Sequence, residues 1–530
     1  MIFFISITKG NRPKTEGYMK KRALIDVCDK SCILDFSQKL IASGFEIIAL
    51  GTSYEYLKDN GVDVLSVSDV TTTISYLGGS LDSLNTKIHM GILANRSNAE
   101  DILQMKELGV EPIDVVVVEL AADFLLSKDA DLKSALENIN VGTAAVLRAA
   151  AKNYEDVAVL VDSCDYDKVL FELSEKGEVS KETKTELCYK ALSYISHYDT
   201  LICSYFSKQR SADNYPNMLT LTYEKTMDLT NGANVHQRAA LYKDVLSNDV
   251  GIKDAMQLLG DAPSYNCICD IDYAISIIEE FDNLAVISVK GRNISGAGEC
   301  DSVYEAYMRA CKKEFNSPED CVVITNSEID RRTALEIIKY PLNAVVAPSY
   351  SEDSMEVLES KEGLRVYELP QISDRYIPVT DEFQSISGGV LVQSVNNKLF
   401  EENDLLCLTD NQPTEEQQKG LIFAWKIAKH TKSNSAVVAK DGQIIGVGQS
   451  QNSSLVAADV ALAKCSDICD KAVIAFDSVI KDVKVVEALQ QVGVSAVIYP
   501  GGALIEQELI DKCNESGIAL LTANITHYKN

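Results

Sequence analysis

Residues 97–118 run SNAEDILQMKELGVEPIDVVVV, and the change of period inside that stretch decides the fold class. Its first half is a punctuated helix: Ser97 and Glu100 read as a capping box, and Gly109 as the left-handed stop after Leu108. Beyond that stop, Ile113–Val118 is apolar at nearly every position rather than at every second one. A strand of that kind is buried on both faces, as in a sheet covered by helices above and below. Working outward, similar strands recur at Arg22–Val27, Phe45–Gly51 and Val157–Asp162, with helical segments between them. The alternation predicts an α/β chain whose N-terminal part is a doubly wound parallel sheet.

Helical character then dominates from Lys181 to about Ser207, and the polar stretch 209–217 reads as a joint. This divides the chain into an extension at 1–18, a first domain at 19–207 and a second at 208–530. In the second, strands at Leu284–Val289, Cys321–Thr325 and Ala344–Pro348 alternate with helices, and a similar series recurs from Ser435 to Thr522. Two α/β lobes are expected, at about 208–390 and 391–530, with no short-period repeat.

With 530 residues the chain exceeds a single core, and its 46% hydrophobic and 24% charged composition is that of a globular protein. No apolar run approaches the roughly 20 residues of a membrane span, and the short apolar start lacks a basic lead, so neither membrane nor secretion is expected. A net charge of −28 disfavours nucleic acid. A small anionic ligand would need local donors instead. Fourteen cysteines without a C-x-x-C pair and five dispersed histidines read as free thiols in a reducing cytoplasm, with no metal site.

A series of co-linear stretches carries a family resemblance. RALIDVCDKS at 22–31, KIHMGILA at 87–94, PIDVVVV at 112–118, ENINVG at 137–142 and LRAAAKN at 147–153 resemble IMP cyclohydrolase domains. NGANVHQ at 231–237, SYN at 264–266, KGRNISG at 290–296, SGGVLVQ at 387–393, FAWKIAKHTKSN at 423–434 and YPGG at 499–502 resemble AICAR transformylase domains. The match to the AICAR transformylase/IMP cyclohydrolase family covers residues 20–530. It implies a methylglyoxal-synthase-like N-terminal domain, two cytidine-deaminase-like lobes without zinc, and a homodimer with transformylase sites between subunits. It also implies purine nucleotide ligands and 10-formyltetrahydrofolate as cosubstrate.

The family's chemistry is only partly spelled out here. Formyl transfer to the AICAR amine needs a proton acceptor, which the family supplies from the histidine of Lys-His-x-Asn-Pro-Cys-Gly; this chain has Lys290, Gly291, Arg292, Asn293, Ile294, Ser295 and Gly296. Glycine accepts no proton, and the adjacent guanidinium is a poor base. Lys290 reads either as a retained contact or as a solvated strand end. In the nucleotide clamp Thr230 and Asn231 replace the family's arginine and tyrosine, while Asn234 and Gln237 remain. Ser264, Tyr265, Asn266, Asn293, Gly296 and Asn434 are either remaining contacts or structural residues. A glycine loop has become Ser317–Cys321, and a loop with a cation Ser450–Ser454.

For ring closure the family arranges lysine, tyrosine, aspartate and lysine, and the matching positions hold Asp82, Ala121, Asn140 and Lys152. Asp82 reverses a charge where an anionic nucleotide would sit. Lys30, Gly51 and Thr52 are the remaining candidates for phosphate contact, and Lys152 reads equally as a relic or a surface residue. His89 and His430 read as structural, hydrogen-bonded histidines rather than bases. Three readings follow: a homologue of the enzyme with weakened activity, using Lys290, Asn434 and Lys152; a non-catalytic nucleotide-binding or regulatory paralogue; or a different enzyme with Arg292, Asp82 and Cys321 as new functional groups.

Overall fold

The apolar strands of the first two hundred residues lie side by side in a computed structural model. It describes residues 20–73, 81–122, 132–208, 215–247, 249–311, 319–373, 381–400, 405–465 and 469–529. The expected extension at 1–18, most of the joint at 209–217, and Ser317 lie outside the described residues. One compact unit runs to Tyr223 and takes in Asp244–Leu246; the other comprises Glu224–Lys243 and Ser247 onward.

In the N-terminal unit, β1 (Lys21–Asp26), β2 (Phe45–Ala49), β3 (Val64–Ser66), β4 (Val115–Val118) and β5 (Ala158–Leu160) form a parallel sheet ordered β3-β2-β1-β4-β5. Period 2 sends alternate residues to opposite faces. Ala23, Ile25, Val115 and Val117 pack with Phe36 and Leu40 on one face, and Leu24, Val116 and Val118 with Ile88 and Leu147 on the other. Two separate cores on one strand are why these strands are apolar throughout. Strand order reverses between β1 and β4, so a crevice for ligands is expected at their carboxyl ends. The Ala99–Leu108 helix ends at Gly109 in the left-handed region as expected, but Asn98, not Ser97, caps its start. Asn98 accepts from Glu100 N at 3.0 Å while its own amide donates to Asp101 at 2.8 Å.

The C-terminal unit is built from a duplicated pattern. Its first copy comprises β8 (Met256–Leu259), the helix Tyr265–Ile278, β9 (Ala285–Lys290), β10 (Asn293–Glu299), β11 (Val322–Thr325), β12 (Ala344–Ala347) and β13 (Arg365–Glu368). The second repeats it with β16 (Leu406–Cys407), the helix Glu415–His430, β17 (Ala436–Lys440), β18 (Gln443–Gly448), β19 (Val473–Phe476), β20 (Ala496–Tyr499) and β21 (Ala519–Thr522). The copies meet at β10 and β18, giving one mixed sheet of twelve strands among the described residues. The two long helices pack on a common face, where Trp425 is fully buried.

The copies share two devices. Each central hairpin turns on two residues of positive φ, Gly291 and Arg292 at +59° and +55°, and Asp441 and Gly442 at +52° and +68°. That is the signature of a type I′ turn, whose twist matches its strands. Each hairpin's second strand also carries a glycine against a helix: a Cβ on Gly296 would lie 1.9 Å from Ala310 O, and one on Gly446 2.2 Å from Ala461 O.

Two further hairpins stand apart from the large sheet: β6 (Glu224–Leu229) with β7 (Ala239–Lys243), and β14 (Glu382–Ile386) with β15 (Gly389–Gln393). The 390/391 division falls inside β15. One cysteine expectation is corrected. Cys465 and Cys469, placed with Cα atoms 5.7 Å apart just past the Ser454–Ala463 helix, are joined as a disulfide, while the other twelve are free thiols.

Candidate functional sites in the two units

The carboxyl ends of β1, β2 and β4 gather several of the residues singled out in the sequence. β1 ends in half-buried Asp26, which accepts a 2.7 Å hydrogen bond from Thr143 Oγ1; desolvation pushes its pKa up against the pull of Thr143 and Lys30. Lys30 Nζ donates to Val27 O and, at 2.9 Å, to Ser53 Oγ, and burial lowers its pKa although Asp26 opposes the shift. Gly51 and Thr52 open the Gly51–Asp59 helix beside it, exposed. Asn140 Oδ1 accepts from Thr143 N at 2.8 Å, in the first turn of the Gly142–Lys152 helix. Ala121 is exposed two residues beyond Glu119, just past β4.

Lys152 does not join this group. Thr143 stands at the crevice end of its helix and Lys152 is the last helical residue, nine positions on, or about 13 Å along the axis. Its charge lies at the helix C-terminus, where it complements the dipole. Asp82 opens a short turn beside the same helix, half-buried. Burial lowers the pKa of His89, against a hydrogen bond with the Ser83 backbone that pulls it up.

In the C-terminal unit the β6–β7 loop meets the start of the Tyr265–Ile278 helix. Gln237 Oε1 accepts from Asn234 N and Nδ2 at 2.9 and 3.0 Å, Tyr265 N donates to Asn231 O at 3.1 Å, and Asn266 Nδ2 to Ala233 O at 3.2 Å. Ser264 caps the helix by accepting from Cys267 N at 3.2 Å. Asn234, Gln237, Ser264, Tyr265 and Asn266 are thus brought together. Asn434 stands elsewhere, with Nδ2 donating to Gln451 O at 3.0 Å and Oδ1 accepting from Ser478 Oγ at 2.8 Å.

The hairpin position is tied from both sides. Asp270, buried on the long helix, accepts from Gly291 N at 2.9 Å and Arg292 N at 2.5 Å. Lys290 is exposed and reaches Glu319 O at 3.0 Å and Asp320 at 3.3 Å. Its counterpart in the second copy, Lys440, makes the matching bond to Asp470 O at 2.9 Å. Asn293 Nδ2 donates to Gly291 O at 3.0 Å, and Gly296 packs against Ala310 as described above.

Next to this turn opens a cavity of about 720 Å³, with Arg292, Lys429, Lys432 and Lys529 in its wall. Lys429 and His430 both reach Glu280, at 2.5 and 3.0 Å. Arg292, Lys432 and Lys529 make no ion pair among the described residues; the Lys529 ammonium lies over the Tyr273 ring, 5.2 Å from its centroid. Asp272, Glu279, Glu280 and Glu382 supply the opposing charge. Burial, reinforced by Glu280, Asp249 and Asp272, pushes Glu279 up to about 8, so it is largely protonated at neutral pH. Four cations then face at most three carboxylates, in a chain whose net charge is −28. His430 is neutral, lowered to about 4 chiefly by burial.

Glu279 gives this cavity a pH signature. Its folded pKa lies above the ordinary 4.5, so the stability of the neutral form is present below about pH 4.5 and is lost as pH rises through about 8. Because the group is partly exposed, Glu279→Gln is expected to stabilise by only about 1–2 kcal/mol at pH 9, and by clearly less at pH 6. Urea melts at the two pH values check this; an equal effect at both would sink it.

Comparison with known proteins identifies relatives of this chain. The family model described as AICARFT/IMPCHase bienzyme matches residues 150–464. Proteins called bifunctional purine biosynthesis protein PurH are 42% identical in Ruminiclostridium cellulolyticum, 41% in Acetivibrio thermocellus and 37% in Bacillus thuringiensis. Each of these matches spans 97% of this chain and 100% of the relative. The chain belongs to the AICARFT/IMPCHase family. A solved structure described as ForH is 32% identical over 35% of this chain and 98% of its own, with a TM-score of 0.33.

As a member of that family the chain is homologous, nearly end to end, to bifunctional purine biosynthesis proteins. Among the described residues no group of acidic, histidine and cysteine side chains could hold a metal, and no helix is long and apolar enough to cross a membrane. Sequence reading missed Asp270, Glu119 and the Glu279–Glu280 pair. A signal existed for Glu119, where a carboxylate breaks the apolar run of β4, but none for Asp270, whose partners lie 21 and 22 residues away.

Proposed function

We propose that this chain is a catalytically silent member of the AICARFT/IMPCHase family that keeps the scaffold, an anion-accepting cavity in its C-terminal unit, and pairing with a second copy of itself. The observation that carries this is the hairpin turn. Where the family places its proton-accepting histidine stands Gly291, with its amide held by Asp270, and neighbouring Lys290 is drawn to the Glu319 carbonyl. The equivalent bond from Lys440 in the second copy supports a scaffold role for Lys290. Loss of a general base removes typically about 10²–10⁴ in rate.

In this reading a purine nucleotide and 10-formyltetrahydrofolate are ligands rather than reactants. The cations Arg292, Lys432 and Lys529 meet their negative charge, and Asn234, Gln237, Ser264, Tyr265, Asn266 and Asn434 keep the neighbouring loops in shape. Pairing is supported by the β14–β15 hairpin. A two-stranded ribbon is marginal alone in water, and its Phe383, Ile386, Val390 and Leu391 are all exposed. The cytoplasm, where nucleotide and folate are at hand, is the place we assign it.

The test is a coupled assay of the full-length protein with AICAR and 10-formyltetrahydrofolate, following tetrahydrofolate release and IMP formation, beside the Ruminiclostridium cellulolyticum relative. Turnover at least about 10²-fold below the relative is expected, while AICAR still raises the melting temperature. Turnover equal to the relative's, abolished by Lys290→Ala, would overturn the reading.

A further inference from the structure

Two backbone amides at the carboxyl end of β1 point at a single oxygen atom. Cys28 N and Asp29 N each donate to Glu119 Oε2 at 2.8 Å. Converging amides are how a backbone holds a phosphate or carboxylate ligand, and here the anion belongs to the chain itself. Its placement follows from the sheet: Glu119 is the first residue beyond β4, and its own amide donates to Asp26 O at 2.9 Å, extending the β1–β4 register. This is the point where strand order reverses, the usual ligand position in an open α/β sheet.

The surrounding charge points the same way. The ammonium of Lys30 sits among Asp26, Asp29 and Glu119, so the crevice already holds more negative than positive charge. We infer that Glu119 determines what this crevice accepts: by occupying the amide pair that an anion would use, it shuts the crevice to phosphate-bearing small molecules. A phosphoryl group entering here would have to displace the carboxylate and then lie beside it, losing two charge-assisted hydrogen bonds on one partner to gain them on the other. With the carboxylate gone, the same amides and Lys30 form an anion site. The inference concerns the N-terminal unit alone and does not depend on whether the C-terminal unit turns over substrate.

The experiment titrates the full-length protein with inorganic phosphate and with inosine monophosphate by calorimetry, in wild type, Glu119→Ala and Glu119→Gln. Glu119→Ala is expected to bind at least about tenfold more tightly than wild type, and Glu119→Gln, which keeps the shape without the charge, to gain less. Adding Lys30→Gln to Glu119→Ala should cancel the gain, which separates this crevice from the cationic cavity of the other unit. Equal gains for both probes assign the phosphoryl group alone; a larger gain for the nucleotide assigns its ribose and base to the adjoining crevice. Folded variants with no gain for either probe, or a gain indifferent to Lys30, overturn the inference. Should Glu119→Ala fail to fold, the isosteric Glu119→Gln still carries the test.

Discussion

Replacing Glu280 by alanine is expected to destabilise the C-terminal unit by about 3–5 kcal/mol, because it strands a buried cation. Lys429 is 5% exposed and His430 8%, and both give their hydrogen bonds to the same carboxylate oxygen. Burial alone would raise the Glu280 pKa; the bonds and charges of His430 and Lys429 override it and bring it down to about 2. Such a carboxylate contributes stability that is present above its unfolded value near 4.5 and lost as pH falls through about 2. The histidine acts earlier. Held at about 4 by burial, against an ordinary 6.5, His430 binds a proton in the unfolded chain before the folded one, so stability falls between pH 6.5 and 4. His527, also lowered to about 4 by burial, adds to the same window. Urea melts at pH 7.5 and pH 5.5 separate the effects. The Glu280→Ala loss should be large at both, and Glu280→Gln, which keeps an acceptor but no charge, should lose less. A loss under about 1 kcal/mol at pH 7.5 would mean that Lys429 has found another of the cavity's carboxylates and that the pair is not what secures this end of the helix.

Several features of this molecule are legible in its sequence because they are local. The strands at Arg22–Val27, Phe45–Gly51 and Ile113–Val118 announce themselves by apolarity at most positions; β2 and β4 fall within those spans, and β1 begins one residue earlier, at Lys21. The recurrence of a similar series after Ser435 foreshadows the duplicated sheet. What stays hidden depends on contacts between distant segments. Lys290 follows a strand and could face a ligand or water; the Glu319 carbonyl, 29 residues on, decides its direction. Gly296 lies within a stretch resembling a binding motif, yet the space it leaves is taken by the Ala310 carbonyl of a helix whose approach no spacing rule gives. Lys152 sits in a well-matched stretch, but a helix of eleven residues has two ends, and only the fold says which end meets the crevice.

Asp270→Ala is the second substitution of large expected effect, and it joins the fold to the proposed ligand site. The type I′ turn requires positive φ at both central residues; Gly291 adopts it freely, whereas Arg292, at +55°, does so against its Cβ. Asp270 holds that conformation by accepting from both turn amides, and as a residue only 4% exposed it makes these bonds partly out of water. Charge-assisted hydrogen bonds contribute about 1.5–3 kcal/mol each, but the freed amides lie on an exposed turn and recover part of this from water. A net loss of about 2–4 kcal/mol is therefore expected in urea melts, with Asp270→Asn intermediate because its amide keeps one acceptor oxygen. The functional consequence is separable from the stability loss. Arg292 is one of three cations in the cavity wall without an ion pair among the described residues, and a slack turn no longer presents it. Under conditions where the variant remains folded, its affinity for AICAR should drop about tenfold, as it should in Arg292→Gln, and the double variant should lose little more than either single one. Additive losses would instead mean that Asp270 serves only the hairpin, and that the turn does not position the guanidinium for an anion.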